Sequence, residues 1–181
     1  METYEFSIIA SGLDPSADDF EQRFYAAGCD DATISYQKGH IILDFAREAE
    51  SVEDAISSAV EGARNAGATV DRVEPDPLVS LSDIATRAHL TKAAISNYCN
   101  GKRGRGFPLP VARVTTESPL WDWSRVAAWM LEYDRSSFVT REEVLTATVV
   151  REANVLLTCG ELNFRSALHG RVKTAADLIA A

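Results

Sequence analysis

Two prolines flank a single aspartate at Pro75-Asp76-Pro77, and this short run constrains the chain more than any other. Each proline fixes φ and removes a backbone donor, so neither a helix nor a central strand runs through the triplet. A division of the chain is therefore expected here. The 181 residues are enough for two small cores.

Charge changes across the same point. Residues 1–77 carry 5 Lys/Arg against 17 Asp/Glu, a net of −12. Residues 78–114 carry 6 against 1, a net of +5, and residues 115–181 carry 7 against 9, a net of −2. The whole chain stands at −9 with a pI near 4.8, which taken alone would repel nucleic acid. A phosphate within a Debye length of about 8 Å, however, meets the local charge. One basic island inside an acidic chain is thus compatible with docking on a polyanion, and the acidic flanks weaken non-specific binding more than specific docking.

Hydrophobic residues at 46% and charged residues at 25% are those of a globular chain rather than a disordered one. No stretch approaches the roughly 18–20 apolar residues of a membrane span. The start METYEF has no basic region followed by an apolar one, so a cytoplasmic location without membrane contact is expected. Cys29, Cys99 and Cys159 are far apart and odd in number, and His40, His89 and His169 are scattered. Neither a disulfide framework nor a metal or cofactor site is predicted, and the cysteines read as small apolar residues.

Residues 1–75 alternate strand and helix signals. Tyr4–Ala10 reads as a strand and Ser16–Ala27 as a helix with Phe20 and Phe24 on one face, stopped by Gly28. Ala32–Gln37 and His40–Ala46 form a hairpin around Lys38-Gly39. Ser51–Ala66 has a helical apolar stripe from Val52 to Ala63, ended by Gly67, and Thr69–Val73 is a last strand. The order βαββαβ predicts an α+β, ferredoxin-like domain with two helices on one face of an antiparallel sheet.

Residues 78–133 carry the functional signal. Leu81–Ala88 reads as a helix turning Leu81, Ile84, Ala85 and Ala88 inward, with Ala85 small enough for a close helix crossing. Leu90 follows as a buried apolar residue in the turn, and Thr91 caps a second helix that buries Ala94, Ile95 and Tyr98. Thr91, Lys92, Ala93, Ser96, Asn97 and Asn100 remain on the opposite face, short and hydrogen-bonding, as a helix in the DNA major groove requires. This is helix-turn-helix spacing, with His89 where glycine is usual because that backbone tends to be left-handed. Gly101–Gly106 (GKRGRG) follows at once, placing Lys102, Arg103 and Arg105 among glycines that let the backbone approach phosphates. Phe107-Pro108-Leu109-Pro110 leads into a predicted strand Val111–Thr115, paired near Leu120 as a wing from which Arg113 reaches a phosphate or the minor groove.

This helix pair, with GFPLPVARV (Gly106–Val114) and SPLWDWSRVAAWM (Ser118–Met130), resembles the winged helix-turn-helix proteins related to MerR-type regulators and phage excisionases, in the AlpA-like branch. The resemblance covers about Leu78–Leu131. It implies that the FP-containing turn opens a wing, that a short strand ending in Leu-Trp returns, and that a helix bearing Trp123, Val126 and Trp129 packs behind it, with Ser124 as its cap. The acidic segment before it resembles the N-terminal part of some bacterial DNA-binding proteins. The tryptophans read as core residues rather than ligand stackers.

Residues 134–181 form a helical C-terminal extension. Thr140 and Glu143 mark a capping-box start, a break falls near Gly160, and a second helix covers Phe164–Ala180 with an interruption expected at Gly170. It is assigned to dimerisation. An enzyme is not expected: Asp18-Asp19 and Asp30-Asp31 do not converge, and GxSxG, GxxxxGK[ST] and GxGxxG are all missing from the sequence. The sequence therefore predicts a homodimeric, sequence-specific binder of double-stranded DNA acting in transcription. Thr91, Lys102, Arg103, Arg105 and Arg113 hold the backbone, while Lys92, Ala93, Ser96 and Asn97 read bases. The alternative is an interaction module or antitoxin-like adaptor, with a protein partner on the acidic N-terminal domain.

Overall fold

The computed structural model describes residues 1–134 and 137–180, the last five of these by their backbone alone. Ala181, at the end of the expected C-terminal segment, lies outside the described residues. The fold is mixed α+β, and its described residues divide into two compact units, one formed by Met1–Pro75 with Glu152–Asp177 and the other built on Asp76–Arg151. The break falls at the prolines.

In the first unit, strands β1 (Glu2–Ser11), β2 (Ala32–Gln37), β3 (His40–Ala49) and β4 (Thr69–Glu74) form one antiparallel sheet in the order β2-β3-β1-β4. Helices α1 (Phe20–Ala26) and α2 (Val52–Asn65) complete the βαββαβ order. Alternation sets the faces: Phe6, Ile8 and Ala10 of β1 lie opposite Phe45, Leu43 and Ile41 of β3, and all six are buried. Ile56 and Val60 of α2 are fully buried with them. Between these positions Glu5, Ser7 and Asp44 point to the other, open face. The hairpin turn has Lys38 and Gly39 both at positive φ, the backbone of a type I′ turn.

Helix α1 starts four residues later than expected. Asp14 accepts hydrogen bonds from the Ser16 amide (2.9 Å) and hydroxyl (2.7 Å), and this local turn consumes the residues that read as a first helical turn. One aspartate of each acidic pair is engaged by an arginine. Asp19 pairs with Arg23 at 2.8 Å, and Asp31 takes a two-pronged grip from Arg47, at 2.8 Å to Nε and 2.6 Å to Nη2. The buried Arg47 also donates to the Gly28 carbonyl and the Ser58 hydroxyl, so its cost of burial is offset by four hydrogen bonds.

The C-terminal segment is helical, as expected. Helix α6 (Arg141–Thr158) begins with the expected capping box between Thr140 and Glu143, and Glu152–Asp177 belong to the first unit. There Asn154 donates to the Val73 carbonyl (2.8 Å) and accepts from its amide (2.9 Å). Gly160, with positive φ, ends the helix region. Helix α7 (Phe164–Ala180) runs through Gly170 without the expected interruption; Phe164, Leu168 and Val172 are buried on one stripe, and Arg165 bridges Glu61 and Asp54 of α2. Packing outweighs the roughly 1 kcal/mol helix penalty of one glycine. Of the cysteines, Cys29 is buried and Cys99 half-buried, but Cys159 is exposed and fills no core.

In the second unit, β5 (Leu78–Val79) pairs antiparallel with β6 (Trp121–Asp122), bringing the chain after Pro77 beside the start of helix α5 (Trp123–Tyr133). Helices α3 (Leu81–Arg87) and α4 (Lys92–Cys99) share a core with α5 and the start of α6, centred on Ile84, Ile95, Val126 and Met130. Trp121, Trp123 and Trp129 are all buried, as core residues. Asp122, rather than Ser124, caps α5: its carboxylate accepts from the Ser124 amide and hydroxyl, and Ser124 is itself buried. The predicted strand Val111–Thr115 does not form. Pairing is limited to one bridge, Ala112 with Leu120, because Arg113 at φ 52° turns the chain immediately afterwards.

Candidate nucleic-acid interface

Helix α3 opens with a reciprocal capping box, Ser80 accepting from the Asp83 amide and Asp83 from the Ser80 amide. The Ser80 hydroxyl (2.7 Å) and then the Ser80 amide (2.8 Å), both donating to Asp83 Oδ2, hold the Asp83 carboxyl below its ordinary pKa. Ala85 is 7% exposed, consistent with the small side chain a close crossing needs. The turn to α4 is four residues long. Ala88 closes α3, His89 adopts φ 53°, the Leu90 amide bonds the Ala85 carbonyl at 2.9 Å, and Thr91 caps α4 by accepting from the Ala94 amide at 3.2 Å. His89 is thus left-handed, at the position where glycine is expected. Leu81, Leu90 and Ala94, expected inside, are half-buried.

Helix α4 buries Ile95 and Tyr98. Thr91, Lys92, Ala93, Asn97 and Asn100 are exposed, while Ser96 is half-buried, and its hydroxyl accepts from the Asn100 side-chain amide at 3.2 Å. Asn97 lies in the last turn of the helix, and its carbonyl accepts from the amides of Lys102 (2.9 Å) and Arg103 (3.2 Å). The basic loop is therefore tied to the helix that precedes it.

Glycines at Gly101, Gly104 and Gly106 all have positive φ, and Lys102, Arg103 and Arg105 between them are exposed. An aromatic base holds the loop from beneath. The Trp129 indole N–H donates to the Arg105 carbonyl at 3.0 Å; a Cβ on Gly104 would stand 2.8 Å from two Trp129 ring carbons. The Arg103 guanidinium lies 5.5 Å from the Tyr98 ring centroid. Trp129 packs against Tyr98 and Phe107, with centroids 5.1 and 5.0 Å apart. Trp129 therefore serves the core, as expected, and in addition seats the loop. A buried indole N–H needs an acceptor, but the spacing does not say that a loop 24 residues away supplies it.

Not every cation of the basic island faces solvent. Arg87 donates to the Asp76 carbonyl at 3.0 Å and lies over Trp123, and burial pushes its pKa below the usual arginine value. Arg113 is exposed in a turn of its own, its carbonyl accepting from the Thr116 amide and hydroxyl. The structure thus brings nine of the ten predicted residues into one continuous stretch of helix and loop and sets Arg113 on a separate turn. Burial pushes the Cys99 thiol to about 11, so it stays protonated on α4. Among the described residues, no cluster of His, Cys, Asp and Glu has a metal-holding arrangement, and no helix is long and apolar enough to cross a membrane.

Neither the scan against protein-family models nor the searches of curated proteins and solved structures found a match.

Proposed function

We propose that the chain is a sequence-specific binder of double-stranded DNA that regulates transcription in the cytoplasm, through a winged helix-turn-helix in which α3 supports and α4 reads. The observation that carries this reading is the unbroken passage from the left-handed His89 turn, through the polar face of α4, to a cationic glycine loop tied back by the Asn97 carbonyl. Lys92, Ala93, Ser96 and Asn97 face base edges; Thr91, Asn100, Lys102, Arg103 and Arg105 hold phosphates through side chains and backbone. Arg113 extends the contact from the loop that serves as a minimal wing. The protein works as a binder rather than as a catalyst, and as a homodimer, because one such motif offers few base contacts and two half-sites supply the rest.

The first unit, with its strand order β2-β3-β1-β4, fits a ferredoxin-like domain. Its open face has a shallow hollow of about 610 Å³ lined by Glu5, Asp31, Asp44 and Glu74. That acidic face favours the second reading, a module that binds a protein partner.

Selection from random duplexes, followed by electrophoretic shift at two salt concentrations, tests the proposal. A DNA reader enriches one short site and loses affinity steeply with salt. A chain that retains no duplex even at low salt is not a DNA reader, and the acidic face then becomes the place to seek its partner.

A further inference from the structure

Leu109 is the most exposed large apolar side chain described in the second unit, at 82%, and every residue around it is held. Phe107 stacks on Tyr98 and meets Trp129 edge-on. The Pro108 carbonyl accepts from the Trp121 indole at 3.1 Å. Pro110 fixes φ on the other side, and the Val111 amide donates to the Leu120 carbonyl at 2.8 Å. A leucine on a mobile loop could fold back onto the core; this one sits between two prolines on a segment anchored at both ends. Its exposure forgoes the favourable burial that a leucine side chain ordinarily gains.

We propose that Leu109 is a wedge that enters a base step of the bound duplex from the minor groove, unstacks it and bends the DNA. The inference rests on the DNA-binding reading above. Charge complementarity identifies the occupant as DNA: Arg105 and Arg113 each lie four residues from Leu109, at most about 14 Å of extended chain, so cations flank the wedge on both sides. Apolar wedges of this kind open flexible pyrimidine–purine steps and bend the duplex towards the major groove. The occupied step contributes specificity through deformability rather than through hydrogen bonds.

The test uses the full-length protein and duplexes recovered by selection, with 2-aminopurine placed in turn at each TA and CA step and the ends labelled for energy transfer. Wild-type binding raises 2-aminopurine fluorescence several-fold at one step and shortens the end-to-end distance. Leu109→Ala still binds but loses both signals, and Leu109→Met restores them. Lys102→Ala weakens binding while leaving the bend at saturation unchanged. If the wild type binds with every step stacked, or Leu109→Ala bends DNA as the wild type does, the wedge is excluded and DNA binding stands. If the wild type binds no duplex, the DNA reading and the wedge fall together.

Discussion

Tyr98 Oη donates a 2.7 Å hydrogen bond to Asp134 Oδ2 inside the second unit, joining the buried side of α4 to the end of α5. The same ring lies beneath Arg103 and against Trp129, so one side chain serves both the core and the basic loop. Tyr98→Phe keeps the ring and removes the bond to a carboxylate that is 7% exposed. A loss of about 1–3 kcal/mol is expected in urea unfolding, with DNA affinity nearly unchanged at temperatures where the variant is folded. An unchanged unfolding midpoint would show that the bond contributes nothing net.

Two glycines in the basic loop separate backbone strain from steric clash. Gly101 and Gly104 have nearly equal φ, +67° and +68°, but only a Cβ at Gly104 meets Trp129. Gly101→Ala should cost about 1 kcal/mol, the left-handed penalty alone. Gly104→Ala should cost clearly more and shift the tryptophan emission. Equal losses in the two variants would mean that the loop is not seated on Trp129.

Base reading and phosphate holding are separable in the proposed interface. Lys102→Ala should weaken all sequences alike and reduce the slope of log affinity against log salt by about 0.9. Asn97→Ala should relax the choice at one base pair, worth about 1–3 kcal/mol, with the salt slope unchanged. Its backbone bonds to the loop survive the substitution. Repeating the selection with each variant reads both effects, and a uniform loss for both would remove the division of labour.

Acid stability should follow Asp31. The Arg47 side chain hydrogen-bonded to it holds its carboxyl below the ordinary value of 3.8, so the folded state binds this proton more weakly than the unfolded state. The resulting stability is fully present above that ordinary value and disappears as the pH falls through the lower folded one. Asp31→Asn should therefore flatten the acid limb of an unfolding profile measured below about pH 4. An acid limb as steep as that of the wild type would assign it to other carboxylates.

Asn154→Ala removes both hydrogen bonds to Val73. A loss of about 1–3 kcal/mol is expected, together with faster exchange of the Val73 amide than of the Ile8 amide on the neighbouring strand. Equal acceleration of both amides would point to global loosening rather than to a local clasp.

Much of this architecture is legible in residue order because period and punctuation agree. The apolar alternation Phe6-Ile8-Ala10 and Ile41-Leu43-Phe45, the Lys38-Gly39 turn and the stops at Gly28 and Gly67 are local signals, and each element forms where its signal lies. Around His89 the burial of Ile84, Ala85, Ala88, Ile95 and Tyr98 is legible too, whereas Leu81, Leu90 and Ala94 lie half-buried rather than inside. What failed were readings that depended on distant partners or on small differences in local bonding. Asp14 withholds the first turn from α1, Asp122 takes the cap expected of Ser124, and Arg113 ends a strand that β-propensity favoured. The seat of the basic loop on Trp129 and the use of Arg87 in packing lie beyond local pattern altogether, because both depend on tertiary contacts.

The sheet has two edges, and they differ in how they meet a stray strand. At β4 the Asn154 amide supplies the donor and acceptor that another strand would offer at Val73, closing one rung of that template. At β2, the other end of the strand order, defence falls to the twist of a tight hairpin and the exposed Lys38 at its tip. Edge-to-edge self-association should consequently have a polarity: chains join through β2 first, and any lattice of stacked sheets must grow from that side.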